Sequence, residues 1–130
     1  MFMSSYWSNK DLFEKCRFLG LRVVRISVGK VDVNRRYWTC GELFVDWDML
    51  FKLKRGDVNW TQYENWYWEC VLKKLTCRVN ISEWLRKWNN SCFVCFCRDS
   101  SRCHRSIVGR WINWLCNVYD DEFRYVGEVE

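Results

Sequence analysis

The chain has 130 residues, a length typical of one domain, and its formal net charge of +5 is too small to indicate a nucleic-acid binding surface by itself. Apolar residues make up 49% of the sequence, which is enough for a core. No apolar stretch reaches the roughly 20 residues that a membrane span requires. We therefore expect a single domain over residues 1–130 that does not cross a membrane.

Nine cysteines, ten tryptophans and no proline make the composition unusual. Residues 1–10 lack the basic region and long apolar region of a secretion signal. We therefore expect an intracellular, cytoplasmic protein whose cysteines are free thiols, ligands or catalytic groups. Disulfide-rich intracellular proteins of hyperthermophiles are the exception, and the sequence is compatible with an archaeal or viral source of that kind. The tryptophans are interpreted mainly as core residues.

The first two thirds of the chain are predicted to contain a helix, a strand and then three further helices. Ser8 is predicted to cap a helix that ends near Gly20, and Leu21–Val28 has the β-branched alternation of a strand. Residues 30–41 are predicted to be irregular. Apolar residues at helical spacing then predict three helices, over residues 42–54, 59–75 and 80–88. Asn59 and Asn80 are the predicted caps of the second and third.

The last third of the chain contains the predicted central strand. Cys92–Cys97 is an unbroken apolar run, typical of a strand buried on both faces. A polar loop, Arg98–Arg102, precedes a helix that is predicted to end at Asp120–Asp121. Residues 122–129 are predicted to form a closing strand, and residues 2–7 are a candidate fourth strand. This order predicts an α/β fold, a small two-layer or three-layer sandwich with a mainly parallel central sheet.

The candidate site is the junction where the central strand gives way to the last helix. Free N–H groups and the dipole at the start of a helix attract anions and lower the pKa of a nearby cysteine. A positive side chain at Arg105 opposes that dipole, so we expect it to contact a ligand or a carboxylate, for which Glu42, Asp46 and Asp48 are candidates. Candidate catalytic residues are Cys97, Cys103 and His104; candidate ligand-binding residues are Arg98, Arg102, Arg105 and Ser106.

The same junction carries a family resemblance. The pattern Cys95-x7-Cys103-His104-Arg105 resembles the C-terminal signature of the domain-of-unknown-function 488 (DUF488) family, in which Cys-His-Arg opens a helix. The segment 54–63 resembles that family's helix start, a basic residue followed by Gly-x-Ile-Ser-Trp-x-x-Tyr. The resemblance covers roughly residues 4–129 and implies a compact α/β fold and an intracellular protein, but no activity. Many members have an acidic residue where Cys97 stands.

The first functional hypothesis is that the junction binds an anionic small molecule or a nucleic acid. Arg105, Ser106 and the first helical N–H groups would contact phosphate, with Arg98 and Arg102 nearby. This hypothesis requires no cofactor and no metal ion. The sequence leaves the oligomeric state open.

Two alternatives involve the cysteines. The segment Cys97–Arg102 resembles the active loop of rhodaneses, which implies a sulfurtransferase or another thiol-dependent enzyme; Ser100 stands where that family has glycine. A zinc-binding interaction module would draw on Cys95, Cys97, Cys103 and His104, while Cys92 would point to the opposite face of the strand. Against both stands the interpretation that Cys95 and Cys97 are inert core residues and that Cys103 packs under the helix.

Overall fold

A computed structural model describes residues 1–119 and 122–130, and within them the chain forms one five-stranded sheet. All its neighbouring strands are parallel, in the order β3-β2-β4-β1-β5. This confirms the predicted α/β fold with a parallel sheet. The strands are β1 (Phe2–Tyr6), β2 (Arg22–Arg25), β3 (Trp38–Thr39), β4 (Ser91–Cys95) and β5 (Tyr125–Glu128).

Six α-helices are present in the described residues. A π-helical turn, Trp68–Leu72, joins the third to the fourth without a break, and 3₁₀ turns lie at Gly41–Leu43 and Ser100–Arg102. No helix in the described part of the chain is long and apolar enough to cross a membrane. The helices are α1 (Leu12–Phe18), α2 (Trp47–Arg55), α3 (Trp60–Tyr67), α4 (Lys73–Arg78), α5 (Ile81–Trp88) and α6 (His104–Val118).

The central strand β4 is buried along its whole length because helices cover both faces of the sheet. Cys92 and Val94 pack against Leu12 of α1 on one face. Phe93 and Cys95 point to the other face, into the larger core that α2 to α6 build. The sandwich therefore has three layers, and alternate residues of β4 serve two separate cores.

The helix caps were predicted with mixed success. Asn59 forms the predicted capping box, since its side chain accepts from Gln62 N at 2.8 Å and its own N–H donates to Gln62 Oε1 at 2.9 Å. The Ser8 cap was wrong, because α1 begins after Asp11, which has a φ of 59° and makes no side-chain capping bond. The predicted helix end at Gly20 is confirmed by its φ of 72°.

Other boundaries also differ from the prediction, and the strand predicted over Leu21–Val28 is shorter, since β2 spans Arg22–Arg25. Thr39 and Trp38 form β3 within the segment predicted to be irregular. The helix expected from residue 42 begins at Trp47, where Asp46 caps it by accepting from Met49 N at 2.8 Å. The central strand ends at Cys95 because the strand pairing ends there. The predicted helix end at Asp120–Asp121 lies outside the described residues.

Candidate functional site

A pocket of about 480 Å³ opens at the carboxyl ends of β2 and β4. Its walls come from the segment that follows β2, from α2 and α3, and from the junction between β4 and α6. Its volume lies within the range of small-molecule sites in proteins. Three cations line it, and no carboxylate does among the residues that the structure describes; the cations are Lys30, Lys54 and Arg102.

Three cysteines meet at the wall of this pocket. Cys97 is exposed, whereas Cys95 and Cys103 are buried. Hydrogen bonds from the thiols of Cys103 and Cys95 hold the pKa of the Cys97 thiol far below its usual value. The hydrogen bonds to Cys95 and Cys97, together with burial, raise the pKa of the Cys103 thiol. Negative charge in this cluster is therefore favoured on the sulfur that faces the pocket.

His104 lies beneath the same cluster and is almost fully buried, with 6% of its surface exposed. Its Nε2 is 2.7 Å from the carbonyl oxygen of Ile26, so Nε2 carries the proton and donates it to that oxygen. The other ring nitrogen, Nδ1, is therefore unprotonated and lies 3.8 Å from the Sγ of Cys103. Burial lowers the pKa of His104 to about 4, which keeps the ring neutral at pH 7.

Arg105 is fully buried and holds in place the segment between β4 and α6, residues 96–103, which we call the site loop. Its Nε and Nη2 donate to the carboxylate of Glu128 at 2.9–3.2 Å. Its Nη1 donates to Cys95 Sγ at 3.0 Å and to the carbonyl of Cys97, and its Nη2 also donates to the carbonyl of Arg98 at 2.9 Å. All five N–H groups of the guanidinium thus have acceptors within the protein.

The expected carboxylate partner of Arg105 exists, but it is Glu128 of β5 rather than Glu42, Asp46 or Asp48. Burial of the guanidinium disfavours its charge, yet the hydrogen bonds with Glu128, together with the nearby sulfurs of Cys95 and Cys103, outweigh that effect and raise the pKa of Arg105. Arg105 therefore fixes the conformation of the site loop by hydrogen bonds from its buried side. In this arrangement it has no N–H group left for a ligand.

The other predicted ligand residues are distributed around the loop. Arg102 lines the pocket. Arg98 does not line the pocket; its Nε donates instead to Ser8 Oγ at 3.3 Å, in the segment that follows β1. The Ser106 hydroxyl donates to the carbonyl of Cys103 at 2.8 Å and so belongs to the first turn of α6. Of the predicted residues, the pocket brings together Cys97, Cys103, His104 and Arg102, and their roles remain predictions.

Sequence analysis missed the opposite walls of the pocket. Lys30 and Lys54 lie far from the junction in the chain, and no local pattern connects them with it. Trp47 and Phe96 contribute aromatic surface, and Tyr63 does so from α3. Lys54 and Tyr63 did carry a signal, because they begin and end the segment that resembles the family's helix start.

Comparison with known proteins gives one match. The family model DUF488-N3a, described as the active DUF488-N3 subclade, matches residues 41–114, more than half of the chain. No curated protein and no solved structure matches the chain. The matched residues include β4, the site loop and most of α6, and with them Cys95, Cys103, His104 and Arg105.

Proposed function

Because the chain belongs to the DUF488 family, in a subclade described as active, we propose that its pocket is a ligand site for a small anionic molecule with an aromatic or apolar body. One observation carries this proposal. Three cations face a pocket whose other walls are largely apolar, and no carboxylate balances them among the described residues. A nucleotide, which joins a phosphate to a planar base, has both properties.

Charge and shape favour this ligand class for separate reasons. Lys30, Lys54 and Arg102 raise the local concentration of anions, because apolar walls focus the field of charges of one sign. Trp47 and Phe96 line the pocket with aromatic surface, which suits contact with a planar base. The concave shape favours a small molecule over a nucleic-acid strand, which needs an extended basic groove.

The test is calorimetric titration with adenosine monophosphate, with inorganic phosphate as the smaller probe. We expect Lys54→Gln to weaken the binding of adenosine monophosphate about fivefold, the effect of removing one partly solvated charge contact. Lys74→Gln is the matched control, because Lys74 is an exposed lysine of α4 outside the pocket. Equal affinities of the two variants, or no binding by the wild type, would contradict the proposal.

A second candidate function is sulfur transfer by Cys97, and the exposure of this thiol at the pocket wall favours it. The Cys97 thiolate would attack the outer sulfur of thiosulfate. A bond between the two sulfurs forms, the S–S bond of the donor breaks, and sulfite leaves with the electron pair. Cyanide then takes the outer sulfur of the persulfide as thiocyanate and restores the thiolate.

Thiocyanate release from thiosulfate and cyanide tests this second candidate. We expect turnover that Cys97→Ser abolishes and that Cys70→Ser, which changes an exposed cysteine outside the pocket, leaves unchanged. Absence of turnover in a wild-type protein whose Cys97 reacts with a thiol reagent would eliminate sulfur transfer.

A further inference from the structure

At the wall of the pocket, the geometry points to a metal site that the ligand proposal does not require. The donor atoms of Cys95, Cys103 and His104 all lie within 4.8 Å of one another. All three side chains are buried. They come from the end of β4 and the start of α6, two elements that are adjacent in space and joined by a short loop.

The orientation of His104 is that of a metal ligand. Its Nε2 donates to the carbonyl of Ile26, which leaves the lone pair of Nδ1 directed towards Cys103. Histidines that bind metals commonly donate their second ring N–H to a carbonyl or carboxylate in this way. A tetrahedral zinc ion, with Zn–S of about 2.3 Å and Zn–N of about 2.0 Å, places the two donors about 3.5 Å apart. The observed separation of Cys103 Sγ and His104 Nδ1 is 3.8 Å.

Cys97 is the candidate for the fourth ligand, since its thiol is hydrogen-bonded with those of Cys95 and Cys103 and it lines the pocket. Its sulfur lies outside the group of donor atoms within 4.8 Å of one another, so the Cys97 side chain has to shift towards His104 to bind the same ion. Cys92, although it lies on the same strand, packs with α1 on the opposite face of the sheet and cannot contribute. Three sulfurs and one imidazole nitrogen form a donor set that zinc binds in proteins and that magnesium and calcium do not prefer.

Arg105 completes the surroundings of such a site. Its Nη1 donates to Cys95 Sγ at 3.0 Å, a contact that stabilises a thiolate more than a thiol. Zinc with three thiolates has a net charge of −1, and Arg105 lies in direct contact with it while Lys30, Lys54 and Arg102 line the adjoining pocket. Hydrogen bonds of this kind to the ligands orient them and strengthen metal binding.

We propose that Cys95, Cys97, Cys103 and His104 bind one zinc ion, which fastens the carboxyl end of β4 to the first turn of α6. The zinc ion then forms part of the pocket wall, beside the cations that face the ligand. In this proposal Cys97 is a zinc ligand and not a free nucleophile. The zinc site and the sulfur-transfer candidate therefore exclude each other in the same molecule.

The experiment is the metal content of the purified full chain, measured by mass spectrometry after zinc loading under reducing conditions and desalting. We expect about one zinc per chain, and at least tenfold weaker zinc binding for Cys103→Ser and for Cys97→Ser. Cys77→Ser, which changes an exposed cysteine outside the site, is expected to keep its zinc. The proposal is overturned if the wild-type chain holds less than about 0.1 zinc or holds iron in place of zinc. It is also overturned if Cys103→Ser or Cys97→Ser retains its zinc in full.

A second measurement on the wild type does not depend on whether the variants fold. Cobalt titrated into the metal-free protein is expected to give the thiolate charge-transfer absorption and the visible bands of a tetrahedral site. In the zinc-loaded protein, alkylation of Cys97 by iodoacetamide is expected to be slow and to accelerate at least tenfold when a chelator removes the metal. Equal alkylation rates, or no absorption with cobalt, overturn zinc ligation.

These results separate the zinc site from the ligand proposal. Lys54→Gln is expected to keep its zinc while it loses affinity for adenosine monophosphate. Failure of nucleotide binding with a stoichiometric zinc content would contradict the ligand proposal alone. Absence of zinc with intact nucleotide binding would overturn the metal site alone.

Discussion

Arg105 fixes the shape of the site loop through a single buried side chain. It lies in the first turn of α6, where a positive charge opposes the helix dipole, so the fold must offset that unfavourable interaction. The carboxylate of Glu128, in β5, offsets that interaction by pairing with the guanidinium. The remaining N–H groups of Arg105 donate to the carbonyls of Cys97 and Arg98 and to Cys95 Sγ. The planar guanidinium thereby connects three segments that are separate in sequence.

Arg105→Lys is expected to destabilise the protein although it keeps the charge. An ammonium group has three N–H donors on one atom and cannot reach acceptors that surround a planar fork. Loss of several charged hydrogen bonds in a buried site is expected to lower the free energy of unfolding by about 3 kcal/mol or more. Urea unfolding measures this loss.

Arg110→Lys is the matched control for that experiment. Arg110 lies on the same helix, but its side chain is exposed and pairs with Glu64 at the surface. We expect a change within about 0.5 kcal/mol, because surface ion pairs contribute little. Equal stabilities of the two variants would show that the contacts of Arg105 do not hold the loop.

Among the elements, α3 is the helix whose start is best defined by its own sequence. The capping box of Asn59 and Gln62 satisfies two backbone N–H groups at that start. The helix then continues through the π-helical turn at Trp68–Leu72 into α4. Tyr63 and Tyr67 lie one turn apart on its buried face, where Tyr63 lines the pocket and the Tyr67 hydroxyl donates to the carbonyl of Leu43 at 2.6 Å.

Asn59→Ala is expected to lower the free energy of unfolding by about 1 kcal/mol, the usual loss when an N-cap side chain is removed. Asn65→Ala provides the comparison, because Asn65 is exposed in the interior of the same helix, where alanine has the higher helix propensity. Urea unfolding should therefore show Asn65→Ala at least as stable as the wild type. An Asn59→Ala variant as stable as Asn65→Ala would mean that packing alone determines where α3 begins.

For the whole molecule, the order of the strands determines where the pocket lies. The neighbours β1 and β4 continue into helices on opposite faces, since α1 packs on one side of the sheet and α6 on the other. Divergence of two such connections opens a crevice at the carboxyl ends of the strands, where α/β proteins commonly bind ligands. The pocket lies on the β2 side of β4, because the segment after β2, helix α2 and the site loop line it, and none of the described residues that line it belongs to β1.

Local patterns in the sequence account for much of this structure. The apolar run at 92–97 predicted a strand buried on both faces, and alternation along it predicted that Cys92 and Cys95 would face different cores. The capping residues Asn59 and Asn80 predicted two helix starts. These features could be predicted because each depends on residues within a few positions of one another.

The sequence by itself determined the parallel α/β sandwich and the junction at which thiols, a histidine and arginines meet. Only the tertiary structure decided that Glu128 neutralises Arg105, that Ile26 sets the tautomer of His104, and that Lys30 and Lys54 face Cys97 across a pocket. The physical reason is that these contacts depend on the order of strands in the sheet. That order follows from how all the apolar faces pack together, and no single stretch of the chain specifies it.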